Sequence, residues 1–147
     1  MKTNLNRLQS VQPLGGTLME IRYTGGQVAR VDFAEMAQRL PVFAELKNPD
    51  FFNCAEVADW GHTLQWPNGE GLDADRLMEM ALEQAGHADA LTFRRWQDRH
   101  GLSLAQAASA IGLSRRTVSQ YRTGARPVPR TVALACKGWE AERRSAA

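Results

Sequence analysis

The stretch from Leu104 to Thr123 admits few folds, because its small, apolar and glycine positions fall at the offsets that two steeply crossed helices require. Ser103 stands where an N-cap belongs ahead of a helix over residues 104–111, and Gly112 ends that helix. Ser114 caps the next, over residues 115–123, and Gly124 ends it. Two short helices meeting through a three-residue turn need a small residue at the contact, a glycine at the turn, and apolar side chains directed back to a core. Ala108 meets the first need and Gly112 the second, while Ile111, Leu113, Val118 and Tyr121 meet the third. With those positions committed inward, Arg115, Arg116, Ser119 and Gln120 remain on the outer face of the second helix. Such side chains hydrogen-bond base edges and phosphates, and no acid stands among them.

The flanks extend this pattern. Thr92 to His100 reads as a helix with Phe93 and Trp96 on one face, ended by Gly101. Arg126-Pro127-Val128-Pro129 reads as an extended linker into a last helix carrying Val132, Leu134, Cys136 and Trp139. Charge divides the chain at the same place. Residues 91–147 hold 11 Lys and Arg against 3 Asp and Glu, a net charge of +8, whereas residues 1–90 hold 7 against 13, or −6. The overall +2 therefore hides two modules with opposed fields. Arg115, Arg116, Arg122, Arg126 and Arg130 fall within 16 residues. A face that only needs solubility accepts Lys or Glu equally well, but Arg grips phosphate and guanine bidentately.

The first half follows a different period. Residues 1–16 are polar and read as an arm. From Thr17 onward Met19, Ile21 and Tyr23 alternate with Leu18, Glu20 and Arg22, and beyond Gly25-Gly26 the residues Ala29, Val31 and Phe33 alternate with Val28, Arg30 and Asp32. These runs predict a hairpin in which both glycines take the positive φ of a tight primed turn. A short helix is expected over residues 34–39, with Pro41 ending it or starting a turn that carries Phe43 and Leu46 inward. A second hairpin is expected from residues 54–60 and 62–66 around Gly61, closed by Pro67-Asn68-Gly69. Asp73 suits an N-cap, Leu72 and Leu77 suit a hydrophobic staple, and Met78, Ala81, Leu82 and Ala85 carry a helix to Gly86. The predicted fold is α+β: a small ββαββα domain over residues 17–86, then an all-α domain over residues 91–145.

Leu102-Ser103, Ala108, Ile111-Gly112-Leu113-Ser114, Thr117-Val118-Ser119, Tyr121 and Gly124 match in register the helix-turn-helix of the phage-repressor and Cro-like (XRE-type) family of bacterial regulators, which the chain resembles over residues 91–140. The resemblance implies a lambda-repressor-like fold, with the helix after the turn in the major groove and two copies on a palindrome. Ser114, Thr117 and Arg126 are then expected near phosphates, beside Arg115, Arg116, Ser119 and Gln120 at DNA. Two departures stand out. Leu104 replaces a usual Gln, and Gln97 and Arg122 replace a frequent Arg and Glu pair. Both partners of that pair change together, so no carboxylate is orphaned, and Arg122 is left available to face DNA. Residues 17–85, through Gly25-Gly26, Asn48-Pro49-Asp50-Phe51-Phe52 and Leu64-Gln65-Trp66-Pro67-Asn68-Gly69, resemble a small bacterial family of unknown function (DUF2442-like). That family occurs alone, in toxin-antitoxin-like gene pairs, or fused to helix-turn-helix domains.

No catalytic constellation emerges. His62, His87 and His100 lack partners at metal-ligand spacing and are expected at the surface. Asp73 and Asp75 are explained by capping, and the Gly-Gly pairs lack the strand-to-helix setting of a phosphate loop. Trp60 and Trp66 are assigned to the core, and Cys54 and Cys136 to buried free thiols. No catalytic residue, metal or cofactor is expected. With no apolar run near the roughly 20 residues of a membrane span and no signal-peptide core, the chain is expected to be cytoplasmic. Together these features predict a sequence-specific DNA-binding transcriptional regulator, a homodimeric repressor on palindromic double-stranded DNA, with a protein or small ligand as possible partner of residues 17–86. One alternative is an antitoxin-like protein that neutralises a partner through residues 17–86 and autoregulates its operon. Another is an interaction protein whose basic helix is only surface.

Overall fold

The computed structural model describes residues 7–146. Residues up to Gln84 form one compact unit and residues from Ala85 onward another.

In the first unit, β1 (Leu8–Gly15), β2 (Leu18–Tyr23) and β3 (Val28–Asp32) form an antiparallel sheet in that order. The period-two pattern dictates its buried face: Met19, Ile21 and Tyr23 on β2 and Ala29 and Val31 on β3 are buried, with Ile21 opposite Ala29 and Met19 opposite Val31. The loop between them is not the expected tight primed turn. Gly26 N–H bonds to the Tyr23 carbonyl at 3.0 Å, Tyr23 N–H bonds to the Gln27 carbonyl at 2.9 Å, and Gly26 is left-handed at φ 93° while Gly25 is not. This longer bulged loop is another connection that matches the strand twist.

Residues 8–15, expected as part of a polar arm, are the edge strand β1. The pattern failed for a physical reason. Leu8 is buried but Gln9, Ser10 and Gln12 are solvated, and register shifts at each end of the strand break the alternation. Pro13, which lacks an N–H, is tolerated at such an edge.

α1 (Ala34–Arg39) starts beside Asp32, whose carboxylate accepts the Ala34 N–H and the Thr17 hydroxyl. A 3-10 turn over Pro41–Lys47 buries Phe43 and Leu46, and Asn48 caps the single turn α2 (Pro49–Phe52). β4 (Glu56–Ala58), β5 (Thr63–Gln65) and β6 (Gly71–Asp73) form a second antiparallel sheet. The second hairpin is shorter than expected, and Pro67-Asn68-Gly69 leads into β6 instead of closing the sheet. β6 offers only a glycine, one leucine and the aspartate that caps α3 (Ala74–Gln84), where Asp73 accepts the Arg76 N–H at 2.7 Å. The α+β class holds, with three strands in each sheet rather than two.

Trp66 organises the core of this unit. Its ring meets Phe33, Phe52 and Phe43 at centroid distances of 5.5, 6.2 and 6.4 Å, and its indole N–H donates to the Phe52 carbonyl at 3.2 Å. α3 packs on β3, where the Gln84 amide bonds both the N–H and the carbonyl of Asp32 at 2.8 Å.

Trp60, also expected in the core, is 87% exposed. It lies on a 3-10 turn in which Asp59 and Trp60 both have left-handed φ values, 51° and 58°. That backbone costs a non-glycine residue on the order of 1–2 kcal/mol. Gly61 follows at φ 88°, and a side chain there would meet the Leu8 carbonyl at 2.9 Å, so the turn sits tightly against β1.

The second unit comprises α4 (Ala88–Arg99), α5 (Leu104–Ile111), α6 (Arg115–Arg122) and α7 (Arg130–Ala146). α4 begins four residues before the expected Thr92, with Asp89 in its first turn at the positive end of the helix. Ser103 and Gln106 form a full capping box on α5, and Ser114 caps α6. Gly112 ends α5 at φ 71°, and Leu113 N–H bonds back to the Ala108 carbonyl at 2.8 Å. Phe93, Trp96, Leu104, Ala107, Ala108, Val118, Tyr121, Val132 and Cys136 form the core, with Ile111, Leu113 and Trp139 at its margin. Leu104 departs from the family pattern because it is a core residue here.

The cysteines differ from each other. Burial, then the Glu140 carboxylate, pushes the Cys136 thiol up to about 11, whereas Cys54, expected to be buried, is exposed. Maleimide at neutral pH is expected to add promptly to Cys54 and to reach Cys136 only on unfolding. A mass-spectrometric time course checks this, and two prompt adducts would contradict the burial of Cys136.

Candidate nucleic-acid interface

α6 is held by its inner face. Val118 is fully buried and Tyr121 nearly so, with its ring edge-on to Phe93 at 5.4 Å. The helix repeat then turns the other side outward: Arg115 and Arg116 are exposed, and Ser119 and Gln120 are half-buried. Ser114 and Thr117 are engaged with each other, the Ser114 hydroxyl accepting the Thr117 N–H at 3.1 Å and lying 2.9 Å from the Thr117 hydroxyl. Helix geometry gives the Arg115 and Arg116 N–H groups no intrahelical acceptor, so this end presents two free donors and the positive end of the helix dipole. Arg126 and Arg130 are exposed further along the chain, and the Arg126 N–H bonds to the Gln120 carbonyl at 3.3 Å.

Arg122, which the departure from the family pair left available to face DNA, is turned toward α4. Its guanidinium donates to Gln97 Oε1 at 3.0 Å and to Asp98 Oδ1 at 3.2 Å, and its side chain is 13% exposed. Buried Arg94 donates to the Arg122 carbonyl at 3.0 Å, and buried Gln97 donates to the Leu102 carbonyl at 3.0 Å. α4 thus grips the end of α6 through both side chain and main chain. The family resemblance disclosed the Gln97 and Arg122 exchange, but neither Arg94 nor Asp98 carried a signal, because their partners are a carbonyl and a residue 24 positions away.

Arg122→Ala would leave the buried Gln97 carbonyl oxygen without its donor. Urea denaturation is expected to show a loss of about 1–3 kcal/mol, with an unchanged salt slope of DNA binding. Unchanged stability with a slope reduced by about one would put Arg122 on a phosphate.

The linker into α7 is fixed in the same manner. Asp89 accepts the Val128 N–H at 2.7 Å, and that bond holds its carboxyl below the usual range. On α7, Glu140 is lowered first by its hydrogen bond with His100, at 3.3 Å, and further by Arg99, at 3.2 Å. His62 and His87 are exposed as expected, but His100 packs edge-on against Trp139 at 4.9 Å. A carboxyl lowered by folding contributes stability above its unfolded value, about 4, and loses it as pH falls from there through the folded value. Thermal stability of the helical unit is therefore expected to fall below about pH 4, and Asp89→Asn to reduce that fall. Circular dichroism melts across this range check it, and an identical pH profile in the variant would contradict a role for the Asp89 to Val128 bond.

Among the described residues no cluster of His, Cys, Asp or Glu is arranged to hold a metal ion, and no helix is long and apolar enough to cross a membrane. A family described as Protein of unknown function (DUF2442) matches residues 8–83, more than half of the chain. The chain belongs to the DUF2442 family. Its DUF2442 domain begins with β1, and a second family, described as Helix-turn-helix domain, matches residues 90–143. This DUF2442 member is similar to a candidate DNA-binding protein from Nitrosomonas europaea ATCC 19718 solved by crystallography, with 36% identity and a TM-score of 0.64 over 93% of this chain and 88% of that one. Among curated proteins, none matches the chain.

Proposed function

We propose that this protein is a sequence-specific transcriptional regulator that binds double-stranded DNA through α6, acting in the cytoplasm as a homodimeric repressor on a palindromic operator. One observation carries the reading: the acid-free outer face of α6, with Arg115 and Arg116 exposed and Ser119 and Gln120 beside them, on a helix whose other side is committed to the core. The Helix-turn-helix domain match and the likeness to the Nitrosomonas protein support it.

Arg115, Arg116, Ser119 and Gln120 are assigned to base edges and adjacent phosphates. Ser114, Thr117, Arg126 and the free N–H groups of α6 are assigned to phosphates. Arg122 is assigned to holding α6 rather than to DNA, because its Nη1 donates to both Gln97 and Asp98 and its side chain is largely buried against α4. An antitoxin-like reading of the DUF2442 domain is favoured by its excess of acids, since residues 1–90 carry a net charge of −6 and repel DNA.

Selection of bound sequences from random DNA tests the proposal. An inverted repeat with half-sites about 34 Å apart is expected. Enrichment of a single half-site would overturn the dimer, and no enrichment would overturn sequence specificity.

A further inference from the structure

Trp60 is the most exposed large apolar side chain described, and no described aromatic ring or cation packs on its indole. Its exposure is built rather than accidental. The turn that carries it holds two consecutive non-glycine residues in the left-handed region and is braced by the close approach of Gly61 to the Leu8 carbonyl. Sequence and sheet register bring carboxylates to its end of the second sheet. Asp59 precedes it in the same turn, and Asp73 stands at the same end of the second sheet, since Ala58 pairs with Thr63 and Thr63 with Asp73. Glu56 lies on the same face of β4 as Ala58, opposite to the face on which Leu64 is buried. All three acids are exposed, and none has an ion-pair partner among the described residues. The bases the fold places nearby are Arg7, under Gly61, His62, next in the turn, and Arg76, whose N–H donates to the capping Asp73 and whose guanidinium pairs with Glu79.

An exposed tryptophan at a sheet end that also carries unpaired carboxylates suits a cation, and it disfavours the phosphates of DNA or of an anionic membrane. We propose that Trp60, with Asp59 and Asp73, anchors a docking surface for a basic segment of a partner protein, an Arg or Lys of that segment lying over the indole with its charge toward the two carboxylates. This rests on the reading that the acidic domain binds a protein, and names the chemistry of the contact.

The test titrates the full chain against a fluorescein-labelled nona-arginine peptide, read by anisotropy at constant salt. Trp60→Ala is expected to weaken binding about 2- to 5-fold, as loss of an exposed cation–π contact does, with Trp60→Phe retaining most of it. Asp59→Asn with Asp73→Asn is expected to weaken it further, and Asn at position 73 still caps α3. Glu45→Gln with Glu83→Gln, which removes equal charge elsewhere on the domain, is expected to have the smaller effect. Operator binding is expected to be unchanged in every variant. Absence of peptide binding by the wild-type chain would overturn protein docking by the acidic domain altogether. Peptide binding that Trp60→Ala leaves intact, or that the two acid pairs weaken equally, would overturn the anchor alone. Trp60→Ala converting a dimer to a monomer in sedimentation would assign the surface to a second copy of this chain, and loss of binding to an oligo-dT strand would assign it to base stacking. Either outcome would overturn the proposal.

Discussion

Arg116→Ala is expected to weaken binding to the selected operator roughly 5- to 150-fold, while binding to unrelated DNA at the same salt changes by only a few-fold. The size follows from the loss of one bidentate contact to a base edge, about 1–3 kcal/mol. The asymmetry follows because non-specific affinity is spread over many phosphate contacts, of which this removes at most one. Arg116 is exposed and has no ion-pair partner among the described residues, so its removal strands no buried group and the variant should fold normally. Gln120→Ala should behave likewise. Equal losses on specific and unrelated DNA, measured by gel retardation, would reassign Arg116 to a phosphate.

Trp66→Ala should destabilise the DUF2442 domain by about 3–5 kcal/mol, the range for removing a fully buried large aromatic. Three phenylalanine rings would border the cavity, and the Phe52 carbonyl would lose its indole donor. Against a total stability of about 5–15 kcal/mol, such a loss brings the domain near unfolding at ambient temperature. Trp60→Ala, six residues earlier in the chain, should change stability by about 0.5 kcal/mol or less because its side chain is in solvent. Urea denaturation of the two variants measures the contrast. A loss below about 1 kcal/mol for Trp66→Ala would contradict its place at the centre of the core.

These two tryptophans also show where sequence was informative. Both sit in β-rich runs at the ends of the second hairpin, and composition assigned both to the core. What separates them is the left-handed turn at Asp59 and Trp60, which propensity does not signal because aspartate enters that region only occasionally and tryptophan seldom does. The helix-turn-helix was legible because its determinants are local: caps, a glycine stop and contacts at i, i+3 spacing set α5 and α6 within 20 residues. β2 and β3 were legible for the same reason, their alternation being intact over five or six residues. β1 and β6 were not. A polar edge strand with shifted register and a three-residue strand are fixed by their neighbours rather than by their own residues. At the candidate interface, sequence identified which side of α6 faces outward but not what holds the helix. The Arg122 contacts to Gln97 and Asp98 span a distance in sequence over which spacing carries no information.

The central claim is that α6 discriminates among DNA sequences, and the most direct measurement is an affinity ratio. The full chain would be titrated, at about 150 mM salt, against its selected inverted repeat and against a scrambled duplex of the same length and composition. Binding to the repeat is predicted to be at least about 1,000-fold tighter. Equal affinity for the two duplexes would contradict the claim and leave α6 as a basic surface without sequence preference.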